Sequence, residues 1–193
     1  MKFDTKQKGN LIILSGPSGV GKGTILKELL KDYVDICYSI STTTRQAREG
    51  EEDGVDYFFI TEDKFKSLVQ EDEFIEWAKV HNNYYGTPKK YVEKKLKQGQ
   101  DVILEIDTQG AKQLKKDYDK GVFIFLAPPS LVELKNRLYK RGTESQAVIK
   151  TRLDNAKKEL ADIEQYDYLI VNDKIEQAVE ELKSVIIAER CRI

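Results

Sequence analysis

Histidine is nearly missing from this chain: His81 is the only one in 193 residues. A histidine pair for proton relay, or a histidine-rich metal centre, is excluded by that count. The two cysteines, Cys37 and Cys191, lie far apart without ligand spacing, so neither a zinc site nor a disulfide framework is expected, and a reducing compartment fits best. A charge imbalance is missing too. The formal net charge is -1, which removes the global basic character that nucleic-acid or membrane-surface binding draws on, so any anion site must be local. No apolar run approaches the ~18 residues of a membrane span, and the opening MKFDTKQKGN has no apolar core of signal-peptide length. The expectation is a soluble, cytoplasmic protein with no nucleic-acid and no membrane partner. Its length suits one domain with room for small inserted lobes.

Four short aliphatic runs stand out: LIIL at 11–14, VILEI at 102–106, VFIFLA at 122–127 and YLIV at 168–171. Continuous rather than alternating, they predict strands covered on both faces, as in a parallel sheet. Helical patterns lie between them. Ile25, Leu26, Leu29, Leu30 and Tyr33 recur at helical spacing. Three later helix starts are marked by Ser130 with Glu133, Thr143 with Gln146, and Asp173 with Glu176. This alternation predicts a doubly wound α/β core. Two stretches break it. Residues 41–90 are polar, aromatic and turn-rich, with alternation typical of antiparallel strands, and read as an inserted lobe. Residues 131–155, densely charged and helical, read as a second insert, which leaves about 1–40, 91–130 and 156–193 as the core.

The chemistry is concentrated in LIILSGPSGVGKGT, residues 11–24. A buried strand runs into a glycine-rich turn, then a lysine, then a helix. Gly16, Gly19 and Gly21 let the backbone approach an anion, and the helix aims free N–H groups and its positive dipole end at the same point. Lys22 then reaches the β and γ phosphates of a nucleotide. Gly23, however, stands where the GxxxxGK[ST] pattern has a hydroxyl for magnesium. The tetrapeptide DTQG at 107–110 imitates the DxxG of GTPases, but no NKxD base-reading motif accompanies it. A GTPase switch is therefore disfavoured.

GPSGVGKGT, together with SISTTTRQAREGEEDGVDYFF, EFIEWAKVHNNYYGTP, VILEIDTQGAK, FIFLAPPS, LKNRLYKRGTES and VND, resembles the guanylate kinase family over nearly the whole chain. The resemblance implies a P-loop core with an inserted, mixed α/β GMP-binding lobe and a helical lid. It also implies transfer of the γ-phosphate of ATP to GMP, and to dGMP, giving ADP and GDP. In such kinases GKGT and GK[ST] both occur, so Gly23 is a tolerated variant. Mg2+ is then held mainly by phosphate oxygens and water, with Thr24 and Asp107 acting on it through water.

By the same resemblance, the ATP phosphates rest on the loop residues Gly16, Pro17, Ser18, Gly19, Val20, Gly21, Lys22, Gly23 and Thr24, and Asn172 flanks the nucleotide. Arg45 and Arg48, with Tyr57 and Tyr85, grip the acceptor phosphate, the arginines as bidentate forks and the tyrosines as neutral donors. Glu51, Gly86, Thr87, Glu105 and Asp107 complete the acceptor side. Glu76 and Ser41 read the base: a carboxylate can accept from both guanine N1–H and the 2-amino group, while a hydroxyl donates to O6. Arg137, Arg141 and Arg152, with Lys22 and Arg45, supply charge to the transferring group. No general base is required, because a phosphate monoester with a second pKa of about 6 is already largely a dianion at neutral pH. Two other readings compete: a noncatalytic guanylate-kinase-like binding module, which the intact Lys22 and glycines argue against, and a kinase for another nucleoside monophosphate, which the base-facing residues decide.

Overall fold

A computed structural model describes residues 8–33, 35–80, 82–118, 121–140 and 146–193. In chain order its elements are β1 (Leu11–Ser15), α1 (Lys22–Asp32), β2 (Ile36–Tyr38), β3 (Thr42–Thr43), β4 (Phe58–Phe59), α2 (Glu62–Gln70), β5 (Phe74–Val80) and β6 (Asn83–Pro88). There follow α3 (Lys89–Lys97), β7 (Asp101–Glu105), α4 (Thr108–Asp117), β8 (Val122–Ala127), α5 (Leu131–Lys140), α6 (Gln146–Leu160), β9 (Tyr168–Val171) and α7 (Ile175–Arg190). Each of the four aliphatic runs is a strand. The fold is α/β with parallel strands, as the sequence predicts. The chain forms two compact units: Met1–Leu11, Asp35–Glu105 and Gln109–Gly121 make the first, and Ile12–Val34, Ile106–Thr108 and Val122–Ile193 the second.

In the second unit β1 pairs in parallel with β8, Ile12 opposite Val122, and β8 pairs in parallel with β9, Ile124 opposite Tyr168. Every residue of β1 and β8 is buried, which is why both are aliphatic without alternation. Helix α7 packs against β9 and α1. Helices α5 and α6 close on each other around buried Leu134, Leu138, Ile149 and Ala156, edged by Leu131 and Leu153. The Ser130 hydroxyl caps α5, accepting from the Glu133 amide at 3.1 Å. The expected Asp173 cap is not made. The Asp173 amide turns back onto Val171 O, so the chain enters α7 one residue later, with Lys174 at the cap position and no side-chain bond. Thr143 lies outside the described residues.

In the first unit β2 and β7 pair in parallel, Ile36 opposite Asp101. A separate four-stranded sheet has the order β4-β3-β6-β5. Its β5–β6 and β3–β6 pairs are antiparallel, as expected, but β3 and β4 run parallel. The connection over 44–57 is long enough to bring the chain round to its original direction, which a tight hairpin cannot do. Behind this sheet α2, capped by the Thr61 hydroxyl, buries Phe65 completely. The Phe65 ring stacks on Phe74 at 4.6 Å and on Tyr84 at 5.4 Å. Gly86 is dictated by that packing: a Cβ there would lie 2.9 Å from the Phe74 ring and 3.1 Å from Phe65.

Candidate functional site

The first unit gathers most of the residues expected on the acceptor side. Glu76 on β5 and Thr87 on β6 are register partners, so their side chains meet on one face of the hairpin. Glu76 is only 3% exposed, and its Oε1 accepts a 2.6 Å hydrogen bond from the Thr87 hydroxyl. The register shifts between Phe74 and Glu76, a bulge of the kind that re-aims a side chain. Ser41 is buried immediately before β3, and its carbonyl accepts from the Phe58 amide.

Nearby in sequence, Arg45 grips Glu51 with both arms: Nη1 donates to Oε2 and Nη2 to Oε1, each at 2.9 Å. The Arg48 amide adds a third bond to Glu51 Oε2, at 2.8 Å, while the Arg48 residue itself is exposed. Burial raises the Glu51 carboxyl, but Arg45 and the Arg48 amide outweigh it and hold the group below the ordinary carboxylate range. The Arg45 guanidinium also lies over the Tyr57 ring, 5.4 Å from its centroid, and over Phe59 at 5.8 Å. Tyr57 meets Tyr85 edge-on at 6.1 Å. Arg45, Glu51, Tyr57 and Tyr85 thus form one cluster. Gly86 and Thr87 follow on the same strand, and half-buried Glu105 ends β7. Burial, with the Glu105 charge as a second cause, pushes the Tyr57 phenol far above its ordinary value, and Tyr38 likewise. Tyr38 and Phe59 belong to this neighbourhood without having been singled out in the sequence.

The second unit carries the phosphate loop. Residues 16–21 turn from β1 into α1, with Gly21 at the cap of α1 in the left-handed region at φ 104°. A side chain there is barred twice, because a Cβ would also sit 2.5 Å from Asn172 Nδ2. Lys22 opens the helix, and its ammonium donates to the loop's own carbonyls, Gly16 O at 2.7 Å and Pro17 O at 3.3 Å. Gly23 and exposed Thr24 follow in the first turn. Asn172 is buried and donates from Nδ2 to Val20 O at 2.8 Å. The same carbonyl accepts from Arg137 Nη1 at 3.3 Å, while Nη2 of that arginine donates to Asn172 O at 2.9 Å and Nε to Glu133 at 3.0 Å. Arg152, on α6, donates from Nη1 to the Ser18 hydroxyl. Two of the three arginines expected in the helical insert therefore reach the loop. The third, Arg141, lies outside the described residues, as does His81.

Asp107 is half-buried immediately before α4, two residues beyond the end of β7. Beside it the Thr108 hydroxyl donates to Glu159 Oε1 at 3.3 Å. Burial raises the Glu159 carboxyl above its ordinary range, opposed by Lys22 and Thr108 and assisted by the charges of Asp107 and Asp162. Tyr166 is pushed up to about 12, chiefly by burial. In the sequence, Glu159 sits in NAKKEL and reads as a solvated helix face. Its spacing of seven from Arg152 is the one signal that places it on the same side of α6.

Comparison with known proteins follows the same lines. The guanylate kinase family model matches residues 8–189. Among curated relatives, the guanylate kinase of Caldanaerobacter subterraneus subsp. tengcongensis is 53% identical over 97% of this chain and 91% of its own length. That of Oceanobacillus iheyensis is 54% identical, again over 97% and 91%. Among solved structures, the guanylate kinase from Anaplasma phagocytophilum superposes with a TM-score of 0.82 at 36% identity, covering 97% of this chain and 89% of that one.

Proposed function

The chain belongs to the guanylate kinase family, an enzyme family that phosphorylates GMP to GDP at the expense of ATP, and on that premise we propose how its own residues divide the work. Lys22 and the loop 16–24 take the donor phosphates, with Asn172 beside them. Arg45, Arg48, Glu51, Tyr57 and Tyr85 position the phosphate of GMP, and Glu76, Ser41 and Thr87 read its base. A GMP phosphate oxygen attacks the γ-phosphorus of ATP, the bond to the β,γ-bridging oxygen breaks, and ADP leaves. The equatorial oxygens carry charge in that transition state, so Lys22, Arg137, Arg141 and Arg152 act as cations rather than as acids or bases.

The observation that carries this reading is the state of Glu76. A carboxylate buried to 3% exposure and oriented by a 2.6 Å bond from Thr87 presents acceptor oxygens matched to a base edge that carries two donors. The N1–H and 2-amino group of guanine supply two. Residues 41–90 then serve as the acceptor lobe and 131–155 as a lid. Mg2+ suits the donors at hand, because the Asp107 carboxylate and the Thr24 hydroxyl are hard oxygen groups that fit an ion retaining its own waters. When bound, the ion neutralises charge on the β and γ phosphates. Among the described residues no helix is long and apolar enough to cross a membrane, and the described cysteines Cys37 and Cys191 are both free thiols. A cytoplasmic enzyme is consistent with both. Phosphorus NMR of protein incubated with ATP, GMP and Mg2+ tests the reaction: ADP and GDP should appear in equal amounts, and ADP with inorganic phosphate but no GDP would reject it.

A further inference from the structure

Helix α6 presents one face to the second unit's interior. Ile149 and Ala156 on that face are buried at 3% and 1% exposure. Arg152 precedes Ala156 by one turn and Glu159 follows it by three residues, so both flank the buried alanine and lie about two turns apart on the same side. Each ends on a different part of the phosphate machinery: Arg152 on Ser18 in the loop, and Glu159 on Thr108, the first residue of α4 and the neighbour of Asp107.

We propose that Glu159 is a positioning residue for phosphotransfer: through Thr108 it fixes the turn that carries Asp107, while Arg152 on the same helix face fixes the loop that carries Lys22. One rigid helix thereby sets the separation between Asp107 and the phosphate loop. Glu159 touches no reacting atom in this scheme. Its contribution is geometric, and a misplacement of about 1 Å in such a constellation costs on the order of 10²-fold in rate. The inference rests on the phosphotransfer reading above.

The test is a double-mutant cycle in the full-length protein, read by steady-state kinetics with saturating ATP and Mg2+. Glu159→Ala and Thr108→Val should each lower kcat by about ten- to a hundredfold, with the KM for GMP within about twofold of wild type. The double variant should be no worse than the poorer single one, because both remove the same bond. Glu159→Gln, which keeps an acceptor for Thr108, should recover most of the loss. Wild-type turnover in Glu159→Ala overturns the proposal, as do losses that multiply in the double variant or a Gln variant as poor as the Ala variant. If Glu159→Ala loses its cooperative unfolding transition, the isosteric Thr108→Val carries the test alone, and a wild-type kcat there overturns the proposal equally. Failure of the wild-type protein itself to make GDP is a separate result, striking at the reaction rather than at Glu159.

Discussion

The Thr87 hydroxyl donates to Glu76 Oε1 across the β5–β6 hairpin at 2.6 Å, leaving a buried carboxylate aligned by its cross-strand neighbour. A site that hydrogen-bonds a particular base rejects an analogue lacking the matching groups by ~10⁴-fold, because its own polar atoms are left unpaired. Glu76→Gln places an amide N–H₂ where one acceptor oxygen stood. It should cost about 10²–10⁴-fold in kcat/KM for GMP while leaving ATP binding and the fold intact. Unchanged preference for GMP over AMP in this variant would show that another residue reads the base.

Thr87→Val separates orientation from recognition. The substitution keeps the branched shape and β-propensity of the strand and removes only the donor. The KM for GMP should rise by about tenfold, the loss of one bond to a charged group. A KM equal to wild type would mean that Glu76 is held without Thr87.

Arg45 and Glu51 give a pH-dependent prediction. Glu51 titrates below the ordinary carboxylate range in the folded protein because Arg45 and the Arg48 amide overcome the opposing effect of burial. A depressed acid contributes stability above its unfolded-state pKa, and that contribution disappears as pH falls through the folded-state value. The stability difference between wild type and Arg45→Ala should therefore be largest near neutral pH and shrink in acid, as followed by urea unfolding across the range. A difference independent of pH would contradict the ion pair as its source.

Much of this was legible in the sequence, for physical reasons that differ by region. The strands β1, β7 and β8 are continuous aliphatic runs because they are buried along almost their whole length, so composition alone marks them, whereas β9 is equally aliphatic with Leu169 and Val171 exposed. Strand β2 escaped notice because it is three residues long, ICY, and only partly buried. The parallel β3–β4 pair could not be read from alternation, which reports which face is buried and not strand direction. The phosphate loop was legible because its glycines and lysine are contiguous. Glu159 was not, since its partners Thr108 and Lys22 are distant in sequence and a lone glutamate among lysines on a helix has no distinguishing pattern. The sequence suggests Arg45 and Glu51 as ligand-facing groups but not their mutual fork, because a bidentate pair six residues apart depends on how the 44–57 connection folds.

Gly86 provides a test of packing alone. A Cβ at that position meets the rings of Phe74 and Phe65 at 2.9 to 3.1 Å, and neither ring is at the far end of a flexible chain. Gly86→Ala should destabilise the protein by about 1–3 kcal/mol, the usual cost of overpacking a filled core, measurable as a lowered denaturant midpoint. Equal or greater stability would mean that the aromatic cluster has slack.

Lys22→Ala addresses the donor side. The ammonium is held by Gly16 O and Pro17 O rather than by the apolar core, so its removal should leave the fold and GMP binding largely intact. The kcat should fall by at least about 10²–10³-fold, the scale on which a single preorganised charge-stabilising group acts. Near-normal turnover would detach the loop from catalysis.

The most direct measurement is ADP release from ATP and Mg2+ across GMP, AMP, CMP, UMP and TMP as acceptors. Among these bases only guanine offers two donors on one edge to a carboxylate, so on the proposed role of Glu76 GMP should exceed every other acceptor by about 10³-fold or more in kcat/KM. Comparable rates with AMP or a pyrimidine nucleotide would contradict it.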